Sequence, residues 1–313
     1  MIDLPPLLYQ RLKKLCDDTS LSILQQERAA LTARYHGHGD VRMHTRAQRL
    51  SYLATRMPST YAALRSVLGF VPDMDKITSL LDLGAGPGTV IWALKGLAPL
   101  QKATLVEQDA ELLSLAKELW KEDDALAIIH QKENLLSYQG AEPADLVVLS
   151  YVWAELDPAR RFEVLARGYA CAARYLIMVE PGTPSHAKGL LEARDFLLQK
   201  GAHMVAPCPH AAPCPLRAPD WCHFNVPVKR EALHRQVKDV THPFEFEKYS
   251  YLVVSPQETA LPHGRLVRPP LKRSGHIILD ACEAEGALVR RTISKKQKAL
   301  YHDYKKKEWG DAL

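Results

Sequence analysis

Apolar and polar positions follow three successive patterns along this chain, and the changes of pattern mark its organisation. Over residues 1 to about 70, apolar positions recur at three- and four-residue spacing with charges between them. That spacing predicts helices over 7–16, 21–35 and 46–68. Gly37, Gly39 and Asp40 separate the second from the third, and Pro58 interrupts the third, with Ser59 placed to cap a new helix. From residue 76 to about 200, short apolar runs alternate with helical patterns, which signals a parallel sheet wrapped by helices. The runs predict strands at 77–83, 103–107, 127–130, 145–150 and 175–180, and helices at 89–97, 110–120, 158–173 and 185–198. Residues 201 to about 245 lose the periodicity and fill with Pro, Cys and His, as in an irregular insertion that needs a cross-link. Beyond it, 249–254 reads as a strand, 276–282 and 287–294 as a hairpin, and 295–313 as a basic helix. The predicted organisation is a helical region over 1–72, a sheet domain over 73–200 and a Cys-rich extension over 201–313.

The first strand runs into Asp82-Leu83-Gly84-Ala85-Gly86-Pro87-Gly88-Thr89, where three glycines stand at alternate positions before a helix. Glycine lets the backbone turn sharply and lets a ligand reach main-chain N–H groups that a Cβ would cover. The first helical turn then offers its unpaired donors. A nicotinamide or flavin fingerprint would be G-x-G-x-x-G, and here the third glycine comes one residue too early. The order acidic-x-Gly-x-Gly-x-Gly resembles motif I of class I methyltransferases dependent on S-adenosylmethionine (SAM). The second strand ends in Glu107, roughly 20 residues on, where a carboxylate would hold ribose hydroxyls. The expected fold is therefore α/β, a Rossmann-like sheet with Asp82, Gly84, Gly86, Gly88, Glu107 and Ser150 at the cofactor. The loop Ser150-Tyr151-Val152-Trp153 should converge on the same place, beyond the carboxyl ends of the strands.

Composition adds bounds. At 313 residues and 47% hydrophobic content the chain can bury a sizeable core. No apolar run approaches the ~20 residues of a membrane-spanning helix. The N-terminus has neither the basic and apolar regions of a secretory signal nor the Arg-rich character of a presequence, so a cytoplasmic protein is expected. Net charge is +5, unevenly spread: residues 265–313 hold 12 basic and 6 acidic residues, a net of +6, leaving −1 for residues 1–264. Such a tail suits contact with phosphate backbones, the alternative being a solvated, frayed terminus. Arg46, Arg49 and Arg56 pose the same choice between an RNA groove and solvent.

Of six cysteines, Cys16 and Cys171 fall on apolar helical faces as core residues. Cys208, Cys214 and Cys222 cluster with Cys-x5-Cys-x7-Cys spacing among prolines that stiffen the loop. Thiolates suit zinc or an iron–sulfur centre, and this spacing is not the C-x2-C of a zinc ribbon. A fourth ligand would come from Cys282, His210 or His223.

The glycine motif, Val179-Glu180-Pro181-Gly182-Thr183-Pro184, Cys208-Pro209-His210, Cys214-Pro215-Leu216, Trp221-Cys222-His223-Phe224, Ser294-Lys295 and Trp309-Gly310-Asp311 together resemble one family. It is that of the mitochondrial small-ribosomal-subunit assembly factors related to methyltransferase-like protein seventeen, with their bacterial homologues. Arg56-Met57-Pro58-Ser59-Thr60-Tyr61 resembles its N-terminal helical signature. The resemblance implies a 4Fe–4S cluster on Cys208, Cys214, Cys222 and Cys282, a SAM-binding sheet, and binding to the small subunit and its rRNA during maturation. The missing presequence suits a bacterial member.

Catalysis is less legible. Amino-methyltransferases acting on bases carry Asn/Asp-Pro-Pro-aromatic after the fourth strand; here stands Ser150-Tyr151-Val152-Trp153. Tyr151 and Trp153 would stack on a base or cover the SAM pocket, and Glu155 and Asp157 are candidate bases, Asp157 doubling as a helix cap. No catalytic residue is assigned. The expected function is rRNA methylation, subunit assembly, or both. The alternatives are a non-catalytic iron–sulfur assembly factor and a zinc-containing small-molecule methyltransferase.

Overall fold

A computed structural model describes residues 1–37, 42–121, 126–140 and 142–313. The chain opens with four helices, α1 (Pro6–Cys16), α2 (Leu21–Gly37), α3 (Arg46–Thr55) and α4 (Met57–Leu68). Then β1 (Ser79–Leu83), α5 (Thr89–Leu94), β2 (Lys102–Glu107), α6 (Ala110–Leu119), β3 (Ala127–Lys132) and β4 (Ala144–Ser150) alternate. The series continues with α7 (Arg161–Ala170), β5 (Ala172–Pro181), α8 (Pro184–Gln199), β6 (His203–Ala206), β7 (Phe224–Lys229), α9 (Ala232–Lys238) and β8 (Phe244–Ser255). It closes with β9 (Gly264–Leu266), β10 (Leu271–Lys272), β11 (His276–Glu283), β12 (Leu288–Ser294) and α10 (Lys298–Lys306).

The chain divides into two compact units. One holds Met1–Gly69, Asp73–Tyr138 and Val226–Glu247; the other holds Phe70–Pro72, Gln139–Asn225 and Lys248–Leu313. In the first, β3, β2 and β1 lie side by side and parallel, with Leu81 opposite Thr104 and Thr104 opposite Ile129. Parallel neighbours need a crossover, which α5 and α6 supply. The predicted break at Gly39 and Asp40 lies outside the described residues, and Gly37 ends α2. The break between α3 and α4 falls at Arg56 and not at Pro58, which occupies the first turn of α4. Proline is tolerated there because those N–H groups lack a helical partner anyway. Upstream, Thr45 and Gln48 form a reciprocal capping box that starts α3.

In the second unit β4 and β5 are parallel, and β8 runs antiparallel between β5 and β6. A reversed strand inserted in an otherwise parallel, helix-wrapped sheet belongs to the Rossmann-like class I methyltransferase plan expected from the sequence. A separate sheet of β9, β10, β11 and β12 surrounds Leu266, Ile277, Leu279, Ala281 and Ile293, with Tyr301 and Tyr304 of α10 packed on it. The basic tail is thus anchored over α10 rather than frayed. The segment expected to be irregular contains β6, β7 and α9, leaving 207–223 without helix or strand. Among the described residues, no helix is long and apolar enough to cross a membrane.

Candidate cofactor and metal sites

The glycine loop leaves β1 with Gly84, Gly86 and Gly88 at φ of 77°, 53° and 74°, the left-handed region. Gly84 and Ala85 donate their N–H groups to the Val106 carbonyl at 2.9 and 3.1 Å, so β2 holds the loop. The Gly86 N–H donates at 3.0 Å to Glu107 Oε2, and the Asp109 N–H at 2.9 Å to Oε1. A Cβ on Gly86 would meet nothing within 4 Å, while one on Gly88 would press on Leu105 Cδ1 at 3.4 Å. The space a ligand needs is therefore open over Gly86. Asp82, within β1, is fully buried, and neither carboxylate oxygen has a hydrogen-bond partner. Burial, and then the Glu107 charge, pushes its carboxyl well above the usual range. Burial also raises Glu107, against the pull of the amides it accepts. A protein that buries a carboxyl without a partner leaves an interaction for a ligand's donors to satisfy.

Around this loop the arginines that suggested a groove are engaged. Arg49 pairs with Asp109 at 2.7 Å, Arg56 with Glu247 at 3.1 Å, and Arg46 with Glu111. Asp109 also caps α6 by accepting from the Glu111 and Leu112 N–H groups. Arg49 is largely buried in its pair, whereas Arg46 and Arg56 pair at the surface and remain more than a third exposed.

Ser150 ends β4 in the second unit, paired across from Val179. Tyr151, the next residue, sits at φ 58°. The turn directs the Trp153 N–H to Glu180 Oε1 at 2.9 Å, and the Val152 and Ala154 amides pull on the same carboxylate. Glu180 is buried at the end of β5, and burial lifts its pKa to about 7 despite those amides. Trp153 is 1% exposed and packs edge-on to Phe162 at 5.4 Å, so it is a core residue that cannot stack on a base. Asp157 accepts from the Ala159 N–H at 2.9 Å in the turn before α7, but it does not cap the helix, whose N-cap is Arg160 with no side-chain capping bond.

Cys208, Cys214, Cys222 and Cys282 line one pocket of the second unit. Burial raises Cys208 first of all, and carries Cys282 up to about 12 and Cys222 well above its ordinary value. Repulsion between thiolates adds to each shift, and it acts across every pair of the four. Taken as they stand, no group of three or more His, Cys, Asp or Glu among the described residues is arranged to hold a metal ion. His210 donates Nδ1–H to the Ala212 carbonyl at 3.0 Å, which leaves Nε2 to accept from the Cys282 thiol at 3.2 Å. His223 instead stacks on Trp221 at 4.8 Å. Two buried arginines, Arg194 and Arg265, share the pocket wall. Sequence patterning missed both, because a charged residue beside other charges, such as Arg194 between Glu192 and Asp195 or Arg265 before Arg268, reads as a solvated one.

Residues 46–313 match the model of a family described as mitochondrial small ribosomal subunit Rsm22. The chain belongs to the Rsm22 family. It is 26% identical over 360 residues to the mitochondrial Rsm22-cox11 tandem protein 2 of Schizosaccharomyces pombe, covering 96% of this chain and 47% of that protein. It is also 26% identical over 296 residues to the mitochondrial ribosome assembly protein METTL17 of Homo sapiens, covering 86% of this chain and 63% of that one. The chain thus spans about half to two thirds of the length of these relatives. Among solved structures, it resembles a magnesium protoporphyrin IX methyltransferase from Synechocystis with bound SAH, with a TM-score of 0.42 and 11% identity over 72% of this chain and 94% of that one. A putative RNA methyltransferase from Pyrococcus horikoshii gives 0.39 and 14%, over 68% and 83%. The family resemblance read from the motifs is borne out. The cytoplasmic expectation is corrected, because the named Rsm22-family relatives are mitochondrial proteins and point to the mitochondrion. That expectation rested on the residues at the start of the chain, which carry no such information.

Proposed function

We propose that this chain is a small-ribosomal-subunit assembly factor that binds SAM at the glycine loop and an iron–sulfur cluster at the four cysteines. The family match over residues 46–313 carries the reading, since both candidate sites fall inside it. Its roles divide as a helical region over 1–72, a SAM-binding domain over 73–200 and a cluster-bearing extension over 201–313. The open space over Gly86, the unpartnered Asp82 carboxyl and Glu107 fit a cofactor with an amine, a carboxylate and ribose hydroxyls. Asp82, Gly84, Gly86, Gly88 and Glu107 would hold it, with Ser150 as a further candidate contact. Cys208, Cys214, Cys222 and Cys282 would hold a 4Fe–4S cluster, for which four thiolates are the usual complement. Zinc is the alternative occupant of the same thiols. The group would supply a rigid cross-link to residues 207–223, where the chain has no helix or strand of its own. Binding there would release the protons that burial holds on Cys208, Cys222 and Cys282. The partner is the immature small subunit and its rRNA, in the compartment to which the relatives point.

A second reading, assembly without methyl transfer, is favoured by one observation. The turn after β4 reads Ser150-Tyr151-Val152-Trp153, without the Asn/Asp-Pro-Pro-aromatic acceptors for a substrate amine, and it is instead built around the buried Glu180 carboxylate, which takes the Trp153 N–H. Labelled SAM offered to immature small subunits, with metal-loaded wild type beside Gly86→Arg, separates the two. Label in rRNA from the wild type alone establishes the enzyme. Absence of label with SAM and subunit both bound establishes the factor without turnover.

A further inference from the structure

Arg265 lies on β9 directly opposite Cys282 of β11 and is 3% exposed. Its Nε donates to the Pro207 carbonyl at 2.6 Å and its Nη1 to the Gly310 carbonyl at 2.8 Å, with the Phe70 ring 4.7 Å from the guanidinium. None of these partners is an anion, and no carboxylate pairs with Arg265 among the described residues. Arg194, on α8, is 2% exposed and donates Nη2 to the His210 and Ala212 carbonyls at 3.2 and 2.7 Å. It also hydrogen-bonds Cys208, and the carboxylate it pairs with among the described residues, Asp195, is largely exposed. A guanidinium does not shed its proton, so two buried positive charges face a pocket whose wall otherwise carries the four thiols, His210, Ser250, Tyr251 and apolar side chains, with no carboxylate. Buried charge without a buried counter-charge is costly, and Arg194 has only the exposed Asp195 while Arg265 has no carboxylate partner among the described residues. Four ligating thiolates outweigh the charge of a zinc ion or an oxidised cubane core and leave a dianion. The two arginines match it.

We propose that Arg265 and Arg194 are the counter-charges of the centre held by the four cysteines, and that Arg265 ties this centre to the C-terminal segment 309–313. The inference rests on the reading that the thiols hold such a centre. The tie is specific. The Gly310 N–H donates to the Leu266 carbonyl at 3.0 Å, the Leu266 N–H to Asp311 at 3.0 Å and the Leu313 N–H to Gly264 at 2.8 Å. Gly310 has φ 94°, and its Cβ would stand 3.1 Å from Phe224, so the Trp309-Gly310-Asp311 motif is shaped to bring one carbonyl to Arg265.

The test uses the full chain purified without oxygen, as wild type, Arg265→Gln, Arg265→Lys and Arg194→Gln. Iron, sulfide and zinc per chain are measured, with the rate of metal loss to a chelator, the midpoint potential and hydrogen exchange over 309–313. Arg265→Lys keeps the charge and loses the fork, so it is expected to hold its centre nearly as the wild type does. The two Gln variants should lose it at least about tenfold faster, as an uncompensated buried charge would require. In any Gln variant that retains iron the potential should fall, because a neighbouring cation favours the more negative reduced state. Exchange at Gly310 should accelerate in Arg265→Gln. Arg265→Gln indistinguishable from wild type overturns the inference, and so does Arg265→Lys failing as badly as Arg265→Gln, which would mark a role in hydrogen bonding alone. Wild type with zinc and no iron removes the cluster reading alone, and the same variants then test the counter-charge through zinc loss. Wild type with neither metal overturns both.

Discussion

Glu180 shows how a single carboxyl can be held between two protonation states by its surroundings. Burial raises its pKa from 4.5 to about 7, while the amides of Trp153, Val152 and Ala154 pull the other way. A carboxyl with a raised folded-state pKa stabilises the fold below its unfolded value and loses that stabilisation as pH rises through the folded one. Wild type should therefore lose about 3 kcal/mol more than Glu180→Gln between pH 4.5 and 7. Urea titrations across that interval measure the difference, and parallel pH profiles would show that the carboxyl is solvated. His186, whose Nε2 is 3.9 Å from Glu180, has its own pKa lowered by burial. The double variant with His186→Gln separates the two contributions. At the thiol pocket, Cys222→Ser removes one of four soft ligands and should abolish bound iron and sulfide in anaerobically purified protein. Full retention would exclude Cys222 from the centre.

At the level of elements, much of the fold was legible and the exceptions have physical reasons. The strands that became β1, β2, β4 and β5 were predicted to within a few residues at each end, because a strand buried on both faces reads as one apolar run. α9 was missed: its seven residues carry Arg235 and Lys238 around only two buried positions, His234 and Val237. β7 was missed because Pro227 sits inside it and argues against a central strand. Of the candidate sites, the glycine loop and the cysteines were legible as spacing, whereas Glu180, Arg194 and Arg265 owe their character to burial, which spacing does not report. The motif Glu180-Pro181-Gly182 also has an element-level cause. A Cβ on Gly182 would stand 2.8 Å from the Tyr249 nitrogen and 2.9 Å from the Lys248 carbonyl carbon, both backbone. β5 and β8 approach too closely there for any side chain. Gly182→Ala should cost about 2–3 kcal/mol by forcing these strands apart. A thermal or urea midpoint equal to wild type would show that the strands yield freely.

Over the whole molecule, charge is the property that the sequence expresses most unevenly, and folding decides which part of it is available. Of the 12 basic residues in 265–313, several are already engaged. Arg290 is paired with Asp280, Arg291 with Glu283 and Lys272 with Glu308. Lys307, one of three adjacent lysines that look equivalent in sequence, is half-buried and donates its Nζ to the Ala312 carbonyl at 2.6 Å. Lys305 and Lys306 are exposed at the end of α10, whose tyrosines fix it to the small sheet. A lysine that meets phosphate releases a counterion, and each such contact contributes about 0.7–0.9 to the slope of log affinity against log salt. Lys305→Gln with Lys306→Gln should therefore flatten the salt dependence of small-subunit rRNA binding by about 1.5, and Lys307→Gln alone should leave the slope unchanged. Equal effects from all three lysines would mean that the Lys307 tether opens on RNA. An unchanged slope in the double variant would place the phosphate contacts elsewhere and leave the tail's charge to solvent.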